Sequence, residues 1–375
     1  MATLATLATG NGCGQNVDGR PISSAALGAQ SAALRARSVA IHGRVIAIDS
    51  HADIGFDFAT DRVDPGVDGD RRVDIPKMQA GGLDAAFFIV YVGQGARDPE
   101  GYGLARERAM TKFDAIHRMA RLYPDRIGLA HSADDVGRIA ASGRLVAAIG
   151  IENGWVIGPD IGLVSEYHDL GARYMTLAHN GHNDISDSAQ PQADLGDNPV
   201  EHDGISEFGE AVIAEMNRVG MMVDVSHISK AAMLDAVRLS RAPVVASHSS
   251  MSAIHTHARN MDDEQLLALG ENGGVVHAVA FHDYLVPEAR QPATVADLVD
   301  HIDHAVELIG IDHVGISSDF DGGGGIEGWN DASETLNVTL ELVRRGYTED
   351  EIARLWGGNL LRVWRENERV AASLN

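Results

Sequence analysis

Six short apolar runs in the sequence stop on side chains that can ligate a metal or carry a proton: His51-Ala52-Asp53, Glu152, His179, His227, His248 and Asp319. His51 and Asp53 are two residues apart, so on an extended strand both side chains point to one face. Glu152 follows the run Val146-Ile151, where burying an unpaired carboxylate would be costly. His227 and His248 each close a strongly apolar stretch. Any one of them alone reads as an ordinary hydrogen-bonded or ion-paired residue. Their shared place at strand ends points instead to a metal centre built from imidazole and carboxylate, a donor set that suits Zn²⁺ most simply and tolerates Mn²⁺, Co²⁺ or Fe²⁺. The lone cysteine, Cys13, rules out a thiolate cluster and an intrachain disulfide. Five ligands, His51, Asp53, Glu152, His227 and His248, exceed what one catalytic zinc with an open position takes. Two metals sharing one carboxylate use them all and leave room for a bridging hydroxide.

Such a centre needs a frame that brings distant strand ends together. Eight β-branched or apolar runs alternate with stretches of helical period: Val45-Asp49, Ala85-Tyr91, Leu145-Ile151, Tyr174-Ala178, Met221-Ser226, Val244-Ser247, Gly274-Phe281 and Val314-Ser318. Between them, Leu104-Leu122, Ser206-Val219, Ala231-Leu239 and Val295-Ile309 carry apolar residues every three or four positions. Repeated βα units of this number predict an α/β protein with a closed (β/α)₈ TIM barrel, whose active site is assembled at the C-terminal ends of the strands. The barrel is expected over residues 41–375, with C-terminal helices, and residues 1–40 as a tail or processed segment. No dinucleotide or P-loop motif is present. A formal net charge of −24 argues against a nucleic-acid partner. No apolar run nears the roughly 18 residues that span a bilayer. The folded part therefore reads as soluble, in the cytoplasm or periplasm, and a homodimer stays open.

Several segments in order resemble the membrane (renal) dipeptidase family of amidohydrolase-like hydrolases. They are Ile48-Asp49-Ser50-His51-Ala52-Asp53, Gly150-Ile151-Glu152-Asn153-Gly154, Tyr174 to Asn180, Gly204 to His227, Ala242 to Ser250, Arg259-Asn260, Val314 to Gly322 and Gly358 to Trp364. The resemblance implies a zinc peptidase of small dipeptides. In it His51 and Asp53 would hold one zinc, His227 and His248 the other, and Glu152 would bridge the two. His179 would reach the substrate carbonyl, Arg259 would bind the terminal carboxylate, and Asp319 would handle the proton, in preference to Asp321. Tyr284 matches a substrate-contact position in a looser context, and Asn153 and Trp155 depart from the small residues common after the bridging glutamate. Two other readings share these residues: a hydrolase of N-acyl amino acids, lactams or lactones on the same ligands, and a non-catalytic ligand-binding barrel, which would have no use for a proton shuttle such as Asp319.

Overall fold

A computed structural model of the chain describes residues 24–375 apart from Gln291. Nine strands form one all-parallel sheet: β1 (Ile48–Asp53), β2 (Ala85–Tyr91), β3 (Ile127–Leu129), β4 (Leu145–Glu152), β5 (Ala172–Thr176), β6 (Met222–Asp224), β7 (Val245–Ser249), β8 (Val275–Val279) and β9 (Val314–Ser317). Eight of them follow the order β1-β2-β4-β5-β6-β7-β8-β9. The ring closes through a parallel bridge between Ala52 and Phe320, with Asp53 N donating to Phe320 O at 2.8 Å and Asp319 N to His51 O at 3.1 Å. This is the (β/α)₈ TIM barrel the alternating pattern predicts. The extra strand β3 pairs only with the start of β4.

Strands such as β2 (AAFFIVY) and β4 (LVAAIGIE) are apolar almost throughout because helices cover one face and the barrel interior the other. The interior and its N-terminal end are filled by Ile48, Phe87, Val146, Tyr174 and Val245, against which the last helix (Asn359–Leu374) sets Leu360 and Trp364. Trp364 lies 5.6 Å from the Phe87 ring. That helix plugs the bottom of the barrel, so the C-terminal mouth is the end left for chemistry.

Two boundaries differ from the sequence reading. β1 runs to Asp53, three residues beyond the expected Val45 start at its beginning and four beyond the expected end, so His51 and Asp53 stand within the strand. The expected break at residue 40 falls inside a helix, Ser24–His42, built from strong helix formers such as Ala, Leu and Arg. Ser38, Ile41 and His42 on its last turns are buried, and His42 bonds Thr339 Oγ1 at 2.8 Å and Gly81 O at 3.0 Å. Cys13 lies outside the described residues.

Candidate metal centre

The mouth of the barrel gathers all seven side chains picked out by their positions at the ends of six strands. His51 Nε2 lies 3.5 Å from Asp53 Oδ2, 3.6 Å from Glu152 Oε2 and 3.8 Å from Asp319 Oδ1. The other oxygen of Glu152, Oε1, lies 2.9 Å from His227 Nε2, 3.3 Å from His248 Nε2 and 3.7 Å from His179 Nε2. His227 Nε2 and His248 Nε2 are 2.8 Å apart. Glu152 thus turns one oxygen to each of two groups of donors.

Whether these residues fit metal ions can be judged from the donors themselves. His51 Nε2 is fully buried and has no hydrogen-bond partner. Its neighbours at 3.5–3.8 Å are too far for good hydrogen bonds. Ligand atoms about 2.0–2.2 Å from a tetrahedral ion sit roughly 3.3–3.6 Å apart, and the donor spacings here, 2.8–3.8 Å, bracket that range. The donors also form three overlapping sets compact enough for a cation: His51, Asp53 and Glu152; Glu152, His179 and His227; and His51, His248 and Asp319. The set fits, and it includes His179 and Asp319 within reach of the ligands.

The surrounding hydrogen bonds aim the histidines. Tyr174 Oη donates to Ser50 O at 2.9 Å, so its lone pair is left to accept from His51 Nδ1, also at 2.9 Å. Ser247 Oγ donates to Asp224 Oδ2 at 2.6 Å and can only accept from His248 Nδ1 at 2.8 Å. Asn180 Oδ1 faces His227 Nδ1 at 3.3 Å. Each acceptor fixes the proton on Nδ1 and leaves Nε2 free as a ligand. Gly150 makes this possible for His51, because a Cβ there would collide with the Tyr174 ring that crosses the barrel interior. Sequence reasoning missed Tyr174, Ser247, Asp224 and Asn180, because each acts through a hydrogen bond to another side chain that strand position alone does not reveal.

Electrostatics mark the same place. Burial disfavours charge on His51, yet Glu152 and Asp53 outweigh it and hold its pKa well above the usual imidazole range. Burial likewise opposes ionisation of Glu152, but His51, His179, His227 and His248 hold it well below the usual carboxylate range. Burial pushes Asp319 well up, reinforced by Asp53 and Glu152 and opposed by His51. Burial depresses His227 and His248 far below normal and His179 less so.

A cavity of about 350 Å³ opens over the cluster, within the usual range for small-molecule sites. Its wall includes His179, Asp319, Asp321, Tyr91 and Tyr284. Asp321 accepts Arg72 N at 3.2 Å with both oxygens, which ties it to a neighbouring loop, whereas Asp319 faces His51. Arg259 is 3% exposed and set back beside the cavity, its guanidinium 5.4 Å from the Tyr284 ring centre and its Nη2 donating to His248 O at 3.0 Å. Arg259 Nε has no partner. The pocket does not take its shape from Asn153 and Trp155. Both are buried below it, Asn153 bonding Val92 O at 3.1 Å and Trp155 N at 3.2 Å, with Trp155 packed against Gly95.

Comparison with known proteins bears on this site. Residues 35–375 match the family model of membrane dipeptidases, peptidase family M19. The chain is 38% identical over 324 residues to Dipeptidase tcpJ of Claviceps purpurea, covering 85% of this chain and 75% of that protein. It is 40% identical over 309 residues to Dipeptidase aclJ of Aspergillus oryzae, covering 81% and 72%. Among solved structures, the probable dipeptidase PvdM from Pseudomonas aeruginosa superposes with a TM-score of 0.88 at 30% identity, over 91% of this chain and 100% of that one.

Proposed function

The chain belongs to the membrane dipeptidase family, and from that premise we propose that it hydrolyses dipeptides bearing a free C-terminal carboxylate with the help of two divalent ions, zinc foremost. The observation that carries the binuclear reading is the division of Glu152, one oxygen toward His51 and the other toward His227 and His248. His51 and Asp53 would hold one ion, His227 and His248 the other, and Glu152 both. When bound, such ions acidify water toward neutrality and act as Lewis acids on the scissile carbonyl.

The remaining steps belong to the protein's own groups. His179, on the cavity wall with a neutral imidazole, donates a hydrogen bond to the carbonyl oxygen as negative charge grows on it. Asp319 takes the proton of the attacking water at a carboxylate oxygen and delivers it to the leaving amine, acting first as base and then as acid. Arg259 offers a planar fork, with Nε unengaged, for bidentate pairing with the substrate's terminal carboxylate. Tyr284, stacked on Phe281 at 4.3 Å and lying against Arg259, shapes that end of the pocket.

Elemental analysis of the purified protein, together with turnover of a dipeptide, its C-terminal amide and its N-acetyl form, tests the proposal. We expect two metals per chain and hydrolysis of the free dipeptide far above that of the amide. Full activity with one metal or none would sink the binuclear reading, and a preference for the N-acetyl form would move the assignment to N-acyl amino acids.

A further inference from the structure

Two cations on the cavity wall have no part in the reaction just described. Lys112, on the helix Pro99–Leu122, is 3% exposed yet faces the cavity. Its Nζ lies 5.3 Å from the centre of the Tyr91 ring and 5.2 Å from that of Phe56. No described residue gives it a hydrogen bond or an ion pair. An ammonium withdrawn from water without a counter-ion in contact is costly, and the two ring faces offset only part of that cost. Arg71 lines the same cavity, about a third exposed, with one long contact of 3.4 Å to Asp57.

The two ends of the site have the same sign of charge. Arg259 stands in the loop that follows β7, its guanidinium 5.4 Å from the centre of the Tyr284 ring. Lys112 lies over Tyr91 at the end of β2, which stands across the eight-membered ring from β7. A substrate whose C-terminal carboxylate rests at Arg259 and whose scissile bond lies over the ligand cluster therefore extends its amino-terminal residue toward Lys112 and Arg71. A lone ammonium there meets like charge, whereas a carboxylate finds an unpaired lysine and a loosely paired arginine.

We propose that Lys112 and Arg71 form a second anion subsite, so that the preferred substrates are dipeptides with an acidic side chain on the amino-terminal residue. The subsite rests on the dipeptidase reading and adds the substrate class to it. Lys112 is a specificity residue in this account, and its effect belongs in the ratio of kcat/KM between two substrates that differ only in charge.

The test uses the zinc-loaded full chain with Glu-Ala and its neutral isostere Gln-Ala. A charged hydrogen bond in a secluded site favours the acidic peptide by roughly tenfold or more in kcat/KM. Lys112→Met should bring the ratio close to one, and Lys112→Arg should restore most of it. Arg71→Met, at a partly exposed position, should lower the ratio severalfold. A parent ratio near one, or variants that all keep the parent ratio, overturns the subsite. Failure of the metal-loaded parent to hydrolyse either peptide overturns the dipeptidase reading instead.

Discussion

Replacing Tyr174 with Phe should loosen the metal centre without touching a ligand. The hydroxyl is the sole acceptor placed for His51 Nδ1, at 2.9 Å, and it also donates to Ser50 O at 2.9 Å. The substitution keeps the ring, which still stacks on Phe87 at 5.2 Å, so packing changes little. It strands two buried groups, the Nδ1–H and the Ser50 carbonyl, at about 1–3 kcal/mol each. The metal-free protein should thus lose about 2–6 kcal/mol of unfolding free energy. Once Nδ1 has no acceptor, the proton can move to Nε2 and block the position that must bind metal. Loss of an outer partner of this kind weakens metal affinity by about 10–100-fold. Competition with a chromogenic chelator reads the affinity, and denaturant unfolding of the metal-free protein reads the stability. Should stability fall while affinity stays within twofold of the parent, the tautomer argument is wrong and Tyr174 is only a packing residue.

Asp319→Asn should keep both metals by elemental analysis and lose activity by roughly 10²-fold or more; loss of metal would make Asp319 a ligand. Arg259→Met should lower kcat/KM for a dipeptide by at least tens of fold, about 2–4 kcal/mol, and barely change a dipeptide amide; an equal fall for both would assign Arg259 to the fold. His277 is buried on β8 with Nδ1 bonded to Ala246 O at 3.0 Å, and burial lowers its pKa to about 4. Its contribution is therefore complete above about pH 6.5 and is lost as the pH falls toward 4, about 3 kcal/mol in all, so His277→Gln should flatten the stability profile of the metal-free protein over that window, and an unchanged slope would refute this.

The strand-end residues were legible in the sequence because a parallel barrel converts chain position into spatial position. Glu152 and His248 are far apart in sequence, yet each follows an apolar run, and one topology puts all such ends on one rim. The orienting groups were not legible for the opposite reason. Tyr174 reaches His51 across the barrel interior, a contact that depends on register and on the missing side chain of Gly150. Strand β3 has only three residues, too few to establish a period. Lys112 did leave a trace: it stands seven residues after Ala105, in line with the buried Ala109, Ile116 and Met119 of the same helix. A lysine in the apolar stripe of an amphipathic helix either pairs or faces a cavity.

Positive φ at residues other than glycine gathers mainly beside the site. Helices ending at Gly82, Gly220, Gly273 and Gly346 meet the left-handed region with glycine, at φ of 70°, 86°, 83° and 97°. After β4, β6 and β9 positive φ falls instead on Asn153, His227, Asp319 and Asp321, at 82°, 67°, 57° and 62°, and elsewhere among the described residues only Ala59 and Asp203 share it. An L-residue there costs about 1–2 kcal/mol that glycine would avoid. At Asn153 the side chain repays the strain with hydrogen bonds to Val92 O and Trp155 N that hold the loop under the site. At His227 and Asp319 the sharp turn aims an imidazole and a carboxylate into the mouth, where glycine would supply the bend but no donor. Strain is thus tolerated where a side chain is needed at the tip of a strand, on a barrel whose opposite end is closed by the C-terminal helix and can carry the cost.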